Sequence, residues 1–225
     1  MHLIYLHGFA SSPASSKARF LDDRLAAVGR TLHCPDLNAP DFSTLTTTRM
    51  IAQVERLIAG LPPAPVALLG SSLGAFVALH LAERDRTRRG LAEEGGSPLA
   101  RLVLLAPALD FGRGGWTGLG PEALEQWRAT GEMEVDHHAE GRPRRLRYDL
   151  YEDAGRYDSV AARTTVPTLV LQGRHDTVVD PAMVGRFAAS RPHVTLRLLD
   201  DDHQLKGDLD RLWREVATFL DLPVA

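Results

Sequence analysis

Ser72 stands in Gly70-Ser71-Ser72-Leu73-Gly74, after the apolar run Val66-Ala67-Leu68-Leu69 and ahead of the helical pattern Ala75-Phe76-Val77-Ala78-Leu79. A strand, a G-x-S-x-G and a helix in that order describe a nucleophile elbow, a sharp turn that lifts the serine Oγ above a sheet. Side chains two residues either side of such a turn would collide with neighbouring backbone, and glycine lacks the Cβ that would do so. The chemistry this predicts is nucleophilic attack by Ser72 on an acyl carbon. A serine hydroxyl needs a base to take its proton, and the base needs a carboxylate to orient it.

Two later stretches supply these partners. Thr168-Leu169-Val170-Leu171-Gln172-Gly173 reads as an apolar strand, and Arg174-His175-Asp176 carries a carboxylate just past its end. Asp180 is the competing acid, but it precedes Pro181 and reads better as a helix N-cap with proline at the first helical position. His203 follows the strand-like run Val194-Thr195-Leu196-Arg197-Leu198-Leu199 and precedes a final amphipathic helix. His2, His33, His80 and His193 lie in or beside regular elements, where packed or surface roles fit them. His175 adjoins the acid but is poorly placed as the base, and His137-His138 falls in an insertion. Asp200-Asp201-Asp202 before His203 reads as a solvated loop opening the last helix. The expected triad is Ser72, Asp176 and His203.

Acyl transfer also needs donors for the developing oxyanion. Leu3-Ile4-Tyr5-Leu6 reads as a buried strand running into His7-Gly8-Phe9. The loop after such a strand supplies one backbone N–H, assigned to Phe9, and the residue after the nucleophile, Leu73, supplies the other. Backbone donors suit the role because they are oriented before charge develops. The plainer reading of His7-Gly8 is a strand-ending turn.

These groups require a scaffold. Strands are expected near residues 3–7, 31–34, 66–70, 101–106, 168–172 and 194–199, and helices near 17–28, 44–60, 73–86, 121–129, 181–190 and 207–220. Alternating β and α elements predict a mostly parallel sheet of about six strands with helices on both faces. Continuously apolar strands such as Leu102-Val103-Leu104-Leu105 fit burial on both sides. At 225 residues the chain is expected to form one domain, 1–225.

Residues from about 108 to 163 interrupt the alternation. Gly112, Gly114, Gly115, Gly118 and Gly120 make the start loop-like, residues 121–128 read as a helix, and a polar, arginine-rich segment follows. The position suggests a small cap above the site. Trp116, Trp127, Tyr148, Tyr151 and Tyr157 could wall an acyl or alcohol pocket, or simply hold the cap to the core. Arg142, Arg144, Arg145 and Arg147 could meet an anionic substrate such as a coenzyme A thioester, or be solvated surface. Arg84, Arg86, Arg88 and Arg89, at the end of the helix behind Ser72, complement its dipole.

A formal net charge of −3 predicts no general affinity for nucleic acid or acidic membranes, and no apolar stretch is long enough to span a bilayer. The chain enters a core strand almost at once, without a leader pattern. A single cysteine, Cys34, reads as a packed thiol in a reducing, cytoplasmic setting. Motifs for nucleotide or metal cofactors are lacking, and the expected mechanism needs none.

Ile4-Tyr5-Leu6-His7-Gly8-Phe9-Ala10-Ser11-Ser12-Pro13 with Ser16-Lys17-Ala18, then Cys34-Pro35-Asp36-Leu37, the glycine–serine turn, Gly173-Arg174-His175-Asp176 and Asp202-His203 together resemble the small bacterial YqiA-like esterases of the α/β-hydrolase superfamily. The Ser…Asp…His order matches that superfamily. The resemblance implies an α/β-hydrolase fold, the same triad, and an esterase or thioesterase acting on modest acyl chains. The triad equally serves amide or carbon–carbon cleavage. A non-catalytic binding domain of the same fold is the alternative from another class. The partner expected is a small-molecule ester or thioester.

Overall fold

The computed structural model describes residues 1–90, 98–113 and 118–224, without the side chains of 89 and 90. In chain order its elements are β1 (His2–Leu6), α1 (Ser16–Ala27), β2 (Leu32–His33), α2 (Thr47–Gly60), β3 (Val66–Ser71), α3 (Leu73–Gly90), β4 (Leu99–Leu105), α4 (Pro121–Thr130), β5 (Glu132–His137), β6 (Arg142–Arg147), α5 (Asp149–Ala154), β7 (Thr168–Gly173), α6 (Pro181–Ala189), β8 (Val194–Leu199) and α7 (Leu209–Phe219). Single 3₁₀ turns at Phe42–Thr44 and Phe111–Arg113 complete them.

Six strands form one sheet in the order β2-β1-β3-β4-β7-β8, every neighbouring pair parallel. Successive side chains of a strand point to opposite faces, and here both faces are dry. Ile4, Leu6, Leu68, Leu102, Leu104 and Val170 join a core with α2, α3 and α6. Their neighbours Leu3, Tyr5, Leu69, Val103, Leu105 and Leu171 join a second core with α1 and α7. The unbroken apolar runs of the sequence follow from this double burial.

Several expected elements differ in extent by a few residues, among them α3, which runs to Gly90 instead of 86. β2 is only Leu32–His33, and the helix expected from residue 44 begins at Thr47, where the Thr46 side chain accepts from the Arg49 N–H. A larger correction concerns the arginine-rich segment, which contains the antiparallel hairpin β5–β6. Its alternation is visible afterwards: Met133 and Val135 turn inward between exposed Glu132, Glu134 and Asp136. Three acidic and four basic side chains on a mostly solvated ribbon mask so short a period-2 signal. Gly131 and Gly141, at φ 75° and 64°, permit the turns at its two ends.

Between β4 and β7 the chain packs back on the α2 side. Asp153 of α5 accepts from the Thr48 N–H (2.7 Å) and from the Thr48 hydroxyl (2.6 Å), and the Tyr157 hydroxyl meets that same Thr48 oxygen at 2.7 Å. His80 of α3 reaches the Ser159 hydroxyl at 3.1 Å. Among the described residues no helix is long and apolar enough to cross a membrane.

Candidate active site

Phe9, Ser72, Asp176 and His203 follow β1, β3, β7 and β8 at the carboxyl edge of the sheet, where ligands of open parallel sheets bind. Ser72 links β3 to α3 with φ 52°, a left-handed backbone that a non-glycine residue adopts only under constraint. The constraint is steric on both sides. A methyl group at Gly74 would overlap the Leu6 carbonyl oxygen, and one at Gly70 would overlap the Gly74 carbonyl oxygen. Both glycines of the motif are therefore needed for β1, β3 and α3 to meet. The Ser72 N–H donates to the Leu105 carbonyl at 2.9 Å, which ties the turn to β4.

The structure brings Ser72, His203 and Asp176 into one hydrogen-bonded row. His203 Nε2 lies 3.1 Å from Ser72 Oγ, and His203 Nδ1 lies 2.8 Å from Asp176 Oδ2. Asp176 is 7% exposed, and all its acceptors are directed. Oδ1 accepts from the Val178 and Val179 N–H groups at 2.8 Å each, and Oδ2 also accepts from Gln172 Nε2 at 2.8 Å. Burial by itself would raise this carboxyl, but the bonds from His203, Val179, Gln172 and Val178 outweigh it and hold it below its ordinary range. Asp180 caps α6 by accepting from the Ala182 N–H, as its position before Pro181 suggested. His175 pairs with exposed Asp200 at 2.6 Å, on the solvent side.

One signal for this assembly lies in Gly173. A methyl group there would overlap the Asp201 and Asp202 carbonyl oxygens. Glycine lets the end of β7 touch the loop that carries His203, so the Asp176 and His203 loops can sit side by side.

The loop after β1 is held from several directions. The Leu37 N–H donates to His7 Nε2 at 3.0 Å, which leaves His7 Nδ1–H to donate to the Gly8 carbonyl at 2.9 Å. His7 Nε2 is also 3.4 Å from Asp36, a spacing that would be an ion pair only for imidazolium. Burial lowers the His7 pKa, and Nε2 is already an acceptor, so the neutral ring is the consistent assignment. Asn38 Nδ2 donates to the Ser11 carbonyl at 2.8 Å, and the Ala139 N–H at the hairpin tip donates to the Ala10 carbonyl at 3.3 Å. Ala10 adopts φ 50° in this arrangement. Gly8 faces Ser72: an added methyl would lie 3.6 Å from Ser72 Cβ. Phe9 and Leu73 border the same cleft, and the Leu73 N–H, first in α3, has no acceptor among the described residues.

That cleft encloses about 840 Å³ and reaches from Ser72 and His203 to the start of α1 and the hairpin tip at His138 and Ala139. Of the aromatic residues that could wall a pocket, Trp127, Tyr148, Tyr151 and Tyr157 do not line it. Trp127 is buried, donates from Nε1 to the Leu146 carbonyl at 3.1 Å, and meets Tyr148 and Tyr151 edge-on. Tyr157 packs on Phe76 and His80. These rings fasten the insertion to the core, while Trp116 lies outside the described residues. The arginines of the insertion are likewise engaged: Arg142 and Arg144 with Glu140, Arg145 with Glu132, Arg147 with Asp149. On α3, Arg84 and Arg88 pair with Glu55, and Arg86 with Glu83.

Residues 2–220 match the model of the uncharacterised protein family UPF0227. The chain belongs to this family. Among solved structures it is similar to a candidate hydrolase of Agrobacterium vitis S4, with 25% identity and a TM-score of 0.81 over 97% of this chain and 87% of that one. It also resembles mouse α/β hydrolase domain-containing protein 10 (21%, TM-score 0.75, 98% and 89% covered). Est1E of Butyrivibrio proteoclasticus, in its ferulic acid complex, gives 18% identity and a TM-score of 0.78, with 98% and 88% covered. No curated protein shows significant sequence similarity to the chain. The UPF0227 chain thus has the α/β-hydrolase fold over its length.

Proposed function

We propose that this UPF0227 protein is a serine hydrolase that cleaves a carboxylic ester or thioester of a small-to-medium acyl group through an acyl-enzyme on Ser72. The observation that carries the reading is the row Ser72 Oγ–His203 Nε2–Asp176, at 3.1 and 2.8 Å, opening on a cleft. His203 takes the Ser72 proton as Oγ bonds to the acyl carbon. The carbonyl oxygen gains the negative charge and is held by the N–H groups of Phe9 and Leu73. Loss of one such donor typically costs about 3–4 kcal/mol of transition-state stabilisation. As the tetrahedral centre collapses, His203 gives its proton to the departing alcohol or thiol. Water then enters, His203 removes its proton, and a second collapse frees the acid and restores Ser72. Asp176 remains ionised throughout and holds Nδ1–H toward itself, so that Nε2 faces Ser72. The insertion between β4 and β7 acts in this reading as a small cap, its hairpin tip bracing the Phe9 loop. The single thiol suits a reducing compartment such as the cytoplasm.

Hydrolysis of p-nitrophenyl esters of increasing chain length by wild type and Ser72→Ala tests the proposal. Wild-type turnover should fall by at least about 10⁴-fold in the variant, with an unchanged circular dichroism spectrum. Equal turnover by the two proteins would refute the role of Ser72.

A further inference from the structure

The cleft beside Ser72 holds a cation that ester cleavage does not use. Lys17, in the first turn of α1, is 7% exposed and lines the cleft with Ser15 and Ser16. Three features disfavour a charge there. Burial pushes the Lys17 ammonium down to about 8, and the Lys206 ammonium acts in the same direction. A helix N-terminus is the positive end of its dipole, and the first turn of α1 has no acidic residue to offset it.

The carboxylates whose fields reach Lys17 are Asp201, Asp202 and Asp176. Each of them is hydrogen-bonded elsewhere. Asp201 accepts from the Asp202 and Gly207 N–H groups, Asp202 accepts from the Gln204 N–H, and Asp176 is fully occupied at the row described above. Lys17 makes no hydrogen bond or ion pair among the described residues. Backbone donors accompany it: the Ser16 and Lys17 N–H groups have no acceptor among the described residues, whereas the Ala18 N–H is taken by Ser15 Oγ. The stem of Lys17 is buried while its ammonium reaches the open cleft, and helix N-termini are ready anion sites. The rest of the lining has the same sign. Against a chain charge of −3, the described lining carries Lys17, Arg19 and Lys206 with Asp110 as its one carboxylate.

We propose that this corner of the cleft binds an oxyanion of the substrate, a carboxylate or a phosphate, through the Lys17 ammonium and the first-turn N–H groups of α1. The ester or thioester cleaved at Ser72 then carries a negative charge on its acyl or leaving group. Which bond is cut rests on the serine-hydrolase reading; the anion site does not.

Calorimetric titration of Ser72→Ala protein with glutarate and with inorganic phosphate separates the two anion chemistries without turnover. At least one should bind, and the same titration of the Ser72→Ala/Lys17→Met double variant should be weakened by about ten-fold or more. Failure of both anions to bind, or equal binding by the two proteins, overturns the proposal. Kinetics on wild type supply a readout independent of the variant's folding. Two kcat/KM ratios are compared: p-nitrophenyl hydrogen glutarate over p-nitrophenyl valerate, and 4-carboxyphenyl butyrate over phenyl butyrate. One ratio should exceed about ten and fall toward unity in Lys17→Met. Two wild-type ratios at or below unity would overturn the proposal. Anion binding without turnover of any of the four esters would defeat the serine-hydrolase reading and leave the anion site standing. Turnover without anion binding would do the reverse.

Discussion

Asp176 and Asp180 are four residues apart and chemically identical, yet their surroundings give them different work. Asp176 is buried and holds His203, while Asp180 caps α6 from an exposed position. Asp176→Asn removes the charge and can reverse the imidazole tautomer, so kcat should fall by about 10³–10⁴-fold. Asp180→Asn should leave ester turnover within a few fold and cost at most about 1 kcal/mol in urea denaturation, since asparagine also caps helices. The reverse order of activities would assign the carboxylate to Asp180. The depressed Asp176 pKa also sets a pH dependence of stability. Its contribution is present above the unfolded value of 3.8 and is lost as pH falls through the lower folded value. Asp176→Asn should remove that acid-limb slope from denaturation measured between pH 5 and pH 2.

At the scale of elements, the site depends on three backbones meeting without side chains between them. Gly70 and Gly74 let β1, β3 and α3 converge, and Gly173 lets β7 touch the His203 loop. An added methyl at Gly74 meets the main chain of β1, which cannot move without breaking sheet pairing at Leu6 and Gly70. Gly74→Ala should therefore destabilise by about 3 kcal/mol or more, within the range of overpacked cores. Thermal denaturation would measure it, and a melting temperature equal to wild type would show that the turn relaxes. Hairpin β5–β6 acts on the same site from the other side, because its tip bonds to the Ala10 carbonyl.

For the whole molecule, the insertion is attached in part by buried polar contacts. Asp153 accepts from the Thr48 N–H and hydroxyl, and is itself buried. Asp153→Ala should cost about 1–3 kcal/mol in denaturant titration by leaving those donors unpaired. No loss would mean that Thr48 finds other acceptors. His80, wedged between Phe76, Tyr157 and Ser159, joins α3 to this layer. Burial lowers its pKa to about 4. Its folded value lies below its unfolded value of about 6.5, so the unfolded chain binds the proton first on acidification. Stability is then lost as pH falls from about 6.5 to about 4, by about 2 kcal/mol between pH 7 and pH 5. His80→Gln should flatten that slope in urea titrations at the two pH values; an unchanged slope would move its origin to other groups.

The placement of Phe9, Ser72, Leu73, Asp176 and His203 at one sheet edge was legible in the chain because each follows an apolar strand, and strand order in a parallel α/β sheet brings such loops together. Apolar runs and glycine turns are local signals, so the six strands could be read without the structure. Hairpin β5–β6 could not, because its alternation is short and half solvated. The roles of Trp127, Tyr148, Tyr151 and Tyr157 were also undecided, since an aromatic ring suits a pocket wall and a packed layer equally. Lys17 is the sharpest case. In sequence it is one of two lysines, at the start of an expected helix. Its burial, its missing counterion and its place beside Ser72 depend on α1, the β8–α7 loop and the cleft meeting in three dimensions. Local patterning determines elements and their order; pairing and desolvation of charge are decided only by contacts between distant segments.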